Sequence, residues 1–109
     1  DWDSRDSGSK LRLAYKEAVD KKLFNEESYA PLKGSNDFYQ VTTQEYFFWV
    51  IITEWDLGFL WDLPNEEFLI KDKTDLSDKL PLSHQLYKEF VEKILNPPNK
   101  NLINAIINN

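Results

Sequence analysis

The sequence predicts a mainly α, compact helical domain, and three observations support this fold class. Apolar residues recur at the spacing of an amphipathic helix near both ends of the chain. An apolar and aromatic run, Tyr46 to Ile52, occupies the middle. Hydrophobic residues make up 41% of the 109 residues and aromatic residues 15%, which favours a packed core over disorder. The chain is therefore expected to form a single domain, 1–109, or the C-terminal segment of a larger one.

The first helix is predicted over about 9–24. Ser9 is a suitable N-cap, and Leu11, Tyr15 and Ala18 fall on one face of such a helix. The polar residues before Ser9 are typical of a loop. A second loop is predicted over 25–37, where Pro and Gly interrupt any regular pattern.

The central helix is predicted over about 43–55. Thr42 and Glu45 have the spacing of a capping box, in which each side chain accepts the backbone N–H of the other. Apolar residues follow on all sides of the helix, so it is expected to be buried. Gly58 is a suitable residue to end it.

The C-terminal amphipathic helix is predicted over about 83–95, because Leu86, Phe90 and Ile94 recur every four residues. Between the two helices, the segment NEEFLI is expected to form a short helix and KDKTDLSDKLPL a charged surface loop. A last short helix is expected over about 102–107. The predicted core consists of Leu11, Tyr15, Ala18, Phe47, Val50, Ile51, Phe90 and Ile94.

Composition excludes several classes of function. A net charge of −6 and the absence of a basic cluster argue against nucleic-acid binding, which depends on phosphate neutralisation. No apolar run reaches the ~18 residues that a membrane span needs. The chain has no Cys, so it has no thiolate metal site or Cys nucleophile. The partner that remains is a protein or a peptide.

Few residues are candidates for chemistry. The single histidine, His84, stands near the start of a helix and is expected to be a solvated surface residue. Glu54 is expected at a solvated helix end. Three tryptophans, Trp49, Trp55 and Trp61, are expected in the core, the alternative being an aromatic surface for sugars or peptides. Glu45 lies on the most apolar helix, where a carboxylate is costly unless it is capped, paired or bound to a metal.

The order of four segments resembles the C-terminal part of a gluzincin zinc metallopeptidase of the anthrax-toxin lethal-factor-like type. These segments are LRLAYKEAVDKKLF, ESYAPL, FYQVTTQEYFFWVIITEW and LPLSHQLYKEFVEKIL. In that family a helix of the AYKEAV kind follows the HExxH helix, and a later YAxTNxxEYFAE pattern supplies the third zinc ligand. The resemblance extends over about residues 11–95.

The resemblance implies that Glu45 is the third zinc ligand and that Tyr46 and Phe47 are the aromatic pair after it. Phe48 and Trp49 replace the family's Ala and Glu, and Thr42 replaces its Asn.

The family tyrosine that assists the oxyanion falls at Phe38. Tyr39, one residue out of register, is the catalytic candidate that remains.

The HExxH motif itself does not occur in this sequence. The resemblance therefore implies either the C-terminal segment of a longer peptidase or a catalytically inactive relative. Zinc is the expected cofactor only if ligands exist upstream of Asp1. The resemblance also implies an extracellular, secreted protein.

A different class of function remains open. A small acidic helical protein-binding module without enzymatic activity, of the immunity or inhibitor type, fits the composition equally well. Its negative charge would steer it towards a basic partner. A structural domain of a larger assembly is the third alternative.

Overall fold

The computed structural model describes residues 6–92, with side chains from Ser9 onwards. The prediction of a mainly α fold is confirmed: within residues 6–92 there is no strand, only an isolated antiparallel bridge between Phe24 and Phe68. The α-helices are α1 (Asp6–Asp20), α2 (Phe38–Glu54), α3 (Lys73–Lys79) and α4 (Pro81–Leu86). Helix α4 continues as a π-helical turn, Tyr87–Val91, and two 3-10 helices span Glu27–Leu32 and Gly58–Trp61.

Helix α1 begins earlier than predicted, at Asp6, so residues 6–8 are helical rather than part of a loop. It also ends earlier, at Asp20, because Lys22 adopts a left-handed conformation with φ of 60°. The N–H of Leu23 then donates to the carbonyl of Ala18 at 2.9 Å, which closes the helix in a Schellman motif. This turn directs Phe24 into the core.

Helix α2 is buried and central, as predicted, but it begins at Phe38. The capping box between Thr42 and Glu45 is therefore wrong, because Thr42 already lies inside the helix. Its Oγ1 donates to the carbonyl of Phe38 at 2.7 Å. Thr43 and Thr53 make the same bond to the carbonyls four residues before them, at 2.7 Å each. These bonds allow three threonines to be buried on an apolar helix.

The region between α2 and α4 differs from the sequence prediction in three places. The predicted loop 25–37 contains the 3-10 helix Glu27–Leu32. NEEFLI is not helical, because the Asn65 side chain accepts the N–H groups of Glu67 and Phe68 and turns the chain. The charged segment after it forms α3 instead of a loop.

Helix α3 has a capping arrangement close to the one predicted for α2, with the return bond shifted by one residue. The Asp72 side chain accepts the N–H of Asp75 at 2.9 Å. The Asp75 carboxylate accepts the N–H of Lys71, and this backbone bond is the main reason that the pKa of Asp75 is lowered. Leu76 and Leu80 are fully buried, which explains why a segment with so many charges folds against the core.

Tyr46 is at the centre of the core and is fully buried. Its ring meets those of Tyr15, Phe24 and Phe68 edge-on, with centroids 5.8, 5.1 and 6.0 Å away. Its hydroxyl bonds that of Ser83 on α4, and burial raises the pKa of the phenol. The core thus ties α1, α2 and α4 together.

The predicted core is partly confirmed. Tyr15, Ala18 and Val50 are buried. Four other predicted residues are only partly buried: Leu11, Phe47, Ile51 and Phe90. Ile94, the end of the C-terminal helix and the predicted helix over about 102–107 lie outside the described residues. The C-terminal helix begins at Pro81, because proline is favoured in the first turn.

Candidate functional site

The structure brings Glu45 together with a second carboxylate, Glu67, and with the phenol of Tyr29. Glu45 is half-buried near the middle of α2. Burial is the main cause that raises the pKa of its carboxyl, and the negative charge of Glu67 raises it further. Within residues 9–92, the Glu45 carboxylate has no hydrogen-bond or ion-pair partner, and neither of its oxygens is fully buried. It is therefore free to bind a group from outside this part of the chain.

Glu67 has a different environment. It accepts hydrogen bonds from Trp49 Nε1 at 2.6 Å, from the Tyr29 hydroxyl at 3.0 Å and from Ser28 Oγ at 3.1 Å. Burial and the bond to Glu67 raise the pKa of the Tyr29 phenol, so this hydroxyl stays protonated and donates. These three donors hold Glu67 beside Glu45 and leave it little capacity for another ligand.

Tyr39, the catalytic candidate, is placed elsewhere. Its ring is 40% exposed, stands edge-on to Tyr15 and lies 5.3 Å from the Arg12 guanidinium. Six residues separate it from Glu45, which puts the two side chains about 120° apart around α2. The contacts of Tyr39 are thus with α1, away from Glu67.

The donor set for a zinc site is incomplete among residues 9–92. Glu45 fits the carboxylate position of a zinc site, but the described part of the chain contains no cluster of three His, Asp or Glu side chains. The single histidine is engaged at another place. Two imidazole ligands would have to come from outside these 109 residues, because His84 is their single histidine.

His84 and Glu54 form a pair that the sequence did not predict. His84 Nδ1 lies 2.6 Å from Glu54 Oε2, and the two side chains are 33% and 4% exposed. Burial raises the pKa of Glu54, while the bond to His84 and the charges of His84 and Lys88 oppose the rise.

Both predictions are corrected: Glu54 does end α2, but its side chain is buried rather than solvated, and His84 is not a free surface residue. Two features of the sequence could have indicated this pair: a carboxylate on an apolar helix, and a single histidine on an amphipathic helix.

The tryptophans divide between core and surface. Trp49 is buried and Trp55 is half-buried, where its Nε1 donates to the Tyr87 hydroxyl at 2.9 Å. Trp61 is 39% exposed, so its prediction as a core residue is wrong. It lies in the short 3-10 helix after α2, where only one side faces the core. Trp61 and the exposed ring of Phe48 are 5.2 Å apart, centroid to centroid.

Comparison with known proteins does not add to this geometry. A scan of protein-family models and searches of curated proteins and of solved structures gave no match. The resemblance to the gluzincins therefore stays a prediction. Among the described residues, no helix combines the length and the hydropathy that crossing a bilayer requires.

Proposed function

We propose that this chain supplies Glu45 as the carboxylate ligand of a gluzincin-type zinc site, as the C-terminal segment of a metallopeptidase-like domain or of an inactive relative. One observation carries this proposal. Glu45 is half-buried without a partner among residues 9–92, whereas Glu54 and Glu67 are both hydrogen-bonded. A carboxylate that is costly to bury and is left unpaired is suited to bind a cation.

The electrostatics around Glu45 support the same role. Its pKa is raised because a half-buried carboxylate stands beside a second one, so the site is short of positive charge. A divalent ion would offset this repulsion, and carboxylate oxygen is a common zinc ligand. When bound, zinc supplies Lewis-acid activation of a water and of a carbonyl group. This chain's own contribution is to hold the carboxylate on a rigid, buried helix.

Metal analysis of the natural protein tests the proposal. We expect about one zinc per chain in the native protein, since the gluzincin site holds a single ion. The isosteric variant Glu45→Gln should lose that zinc while keeping its helical circular dichroism. Glu66→Gln, at an exposed position next to Glu67, is the matched control and should keep it. Native protein without zinc, or zinc retained in Glu45→Gln, would contradict the proposal.

A second candidate function is a protein-binding module without enzymatic activity, and a specific feature of the chain favours it. From Gly34 to Ile70 there is no Lys, Arg or His, while the same segment contains seven Asp and Glu residues. This segment includes α2 and the 3-10 helix after it. Lys73 and His84, from outside the segment, pair with Asp56 and Glu54, and the remaining negative charge favours a cationic partner. Binding of a short peptide that alternates Arg and Leu, but not of its Glu and Leu counterpart, is the expected result.

A further inference from the structure

Three aromatic rings of the Gly34–Ile70 segment form a continuous surface, which we call the aromatic face. They belong to Phe48, Trp49 and Trp61. Phe48 and Trp61 are 36% and 39% exposed and meet edge-on at 5.2 Å. Trp49 lies beneath both, with centroids 5.5 and 6.5 Å away. The buried Trp49 therefore supports two rings that each remain more than one-third exposed.

The aromatic face is bordered by carboxylates. Glu45 lies one helical turn before Phe48 and Trp49, which places the three side chains on one side of α2. Glu67 is bonded directly to Trp49 Nε1. Asp62 follows Trp61 and is exposed.

We propose that the aromatic face is a docking surface for an arginine-bearing segment of another protein. The inference rests on the second candidate function and does not require zinc. A guanidinium stacks on the face of a Trp or Phe ring, and its N–H groups pair with a carboxylate. Both partners are available here, because Glu45 lies one helical turn from Phe48, whose ring meets that of Trp61. No cation of the Gly34–Ile70 segment competes for them.

Arginine is favoured over lysine by this chemistry. An ammonium group satisfies Glu45 as a point charge, but it does not stack flat on a ring or bind a carboxylate in two places. A second copy of this chain is a poor occupant, because the acidic segments of the two copies would face each other. The surface is therefore expected to distinguish Arg from Lys, and heterologous binding from self-association.

Calorimetric titration of the full chain with three peptides tests the docking surface. The probes alternate Leu with Arg, with Lys or with Glu. We expect the Arg peptide to bind several-fold more tightly than the Lys peptide, and the Glu peptide not to bind. Trp61→Ala and Phe48→Ala should each weaken Arg-peptide binding by about 10-fold and remove most of the preference for Arg. Phe59→Ala, an exposed residue of the same 3-10 helix without ring contacts to the aromatic face, should change neither.

The outcomes separate this inference from the function on which it rests. If both cationic peptides bind and the Trp61 and Phe48 variants bind as well as the native chain, the module binds cations elsewhere and the docking surface is wrong. If no peptide binds, the binding function fails together with it. If the native chain dimerises and Trp61→Ala is monomeric, the occupant is a second copy, which also overturns the inference.

Discussion

Glu45 and Glu54 lie on the same helix and have opposite environments. Nine residues separate them, so they are about 180° apart around α2 and about 13 Å apart along its axis. Glu54 is almost completely buried and bonds His84 across the interface with α4. Glu45 is half-buried and has no partner in the described part of the chain. An apolar helix thus accommodates a carboxylate in two ways: with a built-in partner, or at an edge where a ligand has access.

The different hydrogen-bond partners around Glu54 and Glu45 are the reason that we propose different roles for the two residues. The His84–Glu54 bond connects two elements of the fold, so its role is structural. The network around Glu67 uses Trp49, Tyr29 and Ser28 to hold one carboxylate, and it leaves Glu45 as the neighbour without a donor. The proposed ligand role therefore falls on Glu45, the half-buried carboxylate that makes no hydrogen bond within the described residues.

The largest expected effect is the loss of the Glu54 partner. His84→Ala should lower the free energy of unfolding by about 2–3 kcal/mol, because it leaves a buried carboxylate without its hydrogen bond. In metal-free protein, Glu45→Gln should change it by no more than about 0.5 kcal/mol, since without a metal that carboxylate has no partner to lose. Urea denaturation at neutral pH measures both. Equal effects of the two substitutions would remove the distinction between the two sites.

A smaller effect is expected at the carboxylate beside Glu45. Trp49→Phe keeps an aromatic ring in the core but removes the Nε1 donor to Glu67. We expect a loss of about 1–2 kcal/mol, from one charge-assisted hydrogen bond and a smaller ring. Trp55→Phe, which removes a neutral bond to Tyr87, is the matched control and should cost less. The same denaturation curves would show whether Trp55→Phe costs as much, which would argue against a special role for Glu67.

The smallest effect is a change in pH dependence. The folded-state pKa of Glu54 is raised above 4.5, so on acidification the folded state takes up its proton before the unfolded state does. Between the raised pKa and 4.5, lowering the pH therefore increases the contribution of this group to the free energy of unfolding. A carboxylate whose pKa is lowered by folding has the opposite effect. In Glu54→Gln this contribution should disappear from a series of thermal melts recorded at different pH values. Parallel plots of Tm against pH for the native and variant proteins would show that the pKa of Glu54 is not raised.

Sequence patterns predicted the helices that bury one continuous stripe or a long apolar run. Helix α1 was found because Tyr15 and Ala18 follow helical spacing, and α2 because a long apolar run, which includes the buried Val50, occupies it. Helix α3 was missed because Lys and Asp dominate its sequence, although Leu76 and Leu80 anchor it. The start of α2 was misplaced because a capping pattern inside a helix looks the same in sequence as one at its end.

The site could be predicted only in part, because partners distant in sequence decide it. Glu45 was singled out from its apolar surroundings, and it is half-buried. Its neighbour Glu67 is positioned by a turn at Asn65 that the predicted short helix would not have formed. The His84–Glu54 pair joins two helices 30 residues apart in sequence, and no local pattern specifies such a contact.

Carboxyl-carbon NMR of the natural protein, labelled on glutamate, stripped of metal with a chelator and then titrated with zinc, tests the contrast between the two carboxylates most directly. The Glu45 and Glu54 signals are identified by their loss in Glu45→Gln and Glu54→Gln. We expect zinc to shift the Glu45 signal at about one equivalent and to leave the Glu54 signal in place. A Glu45 signal that does not respond to zinc, or a Glu54 signal that moves equally, would contradict it.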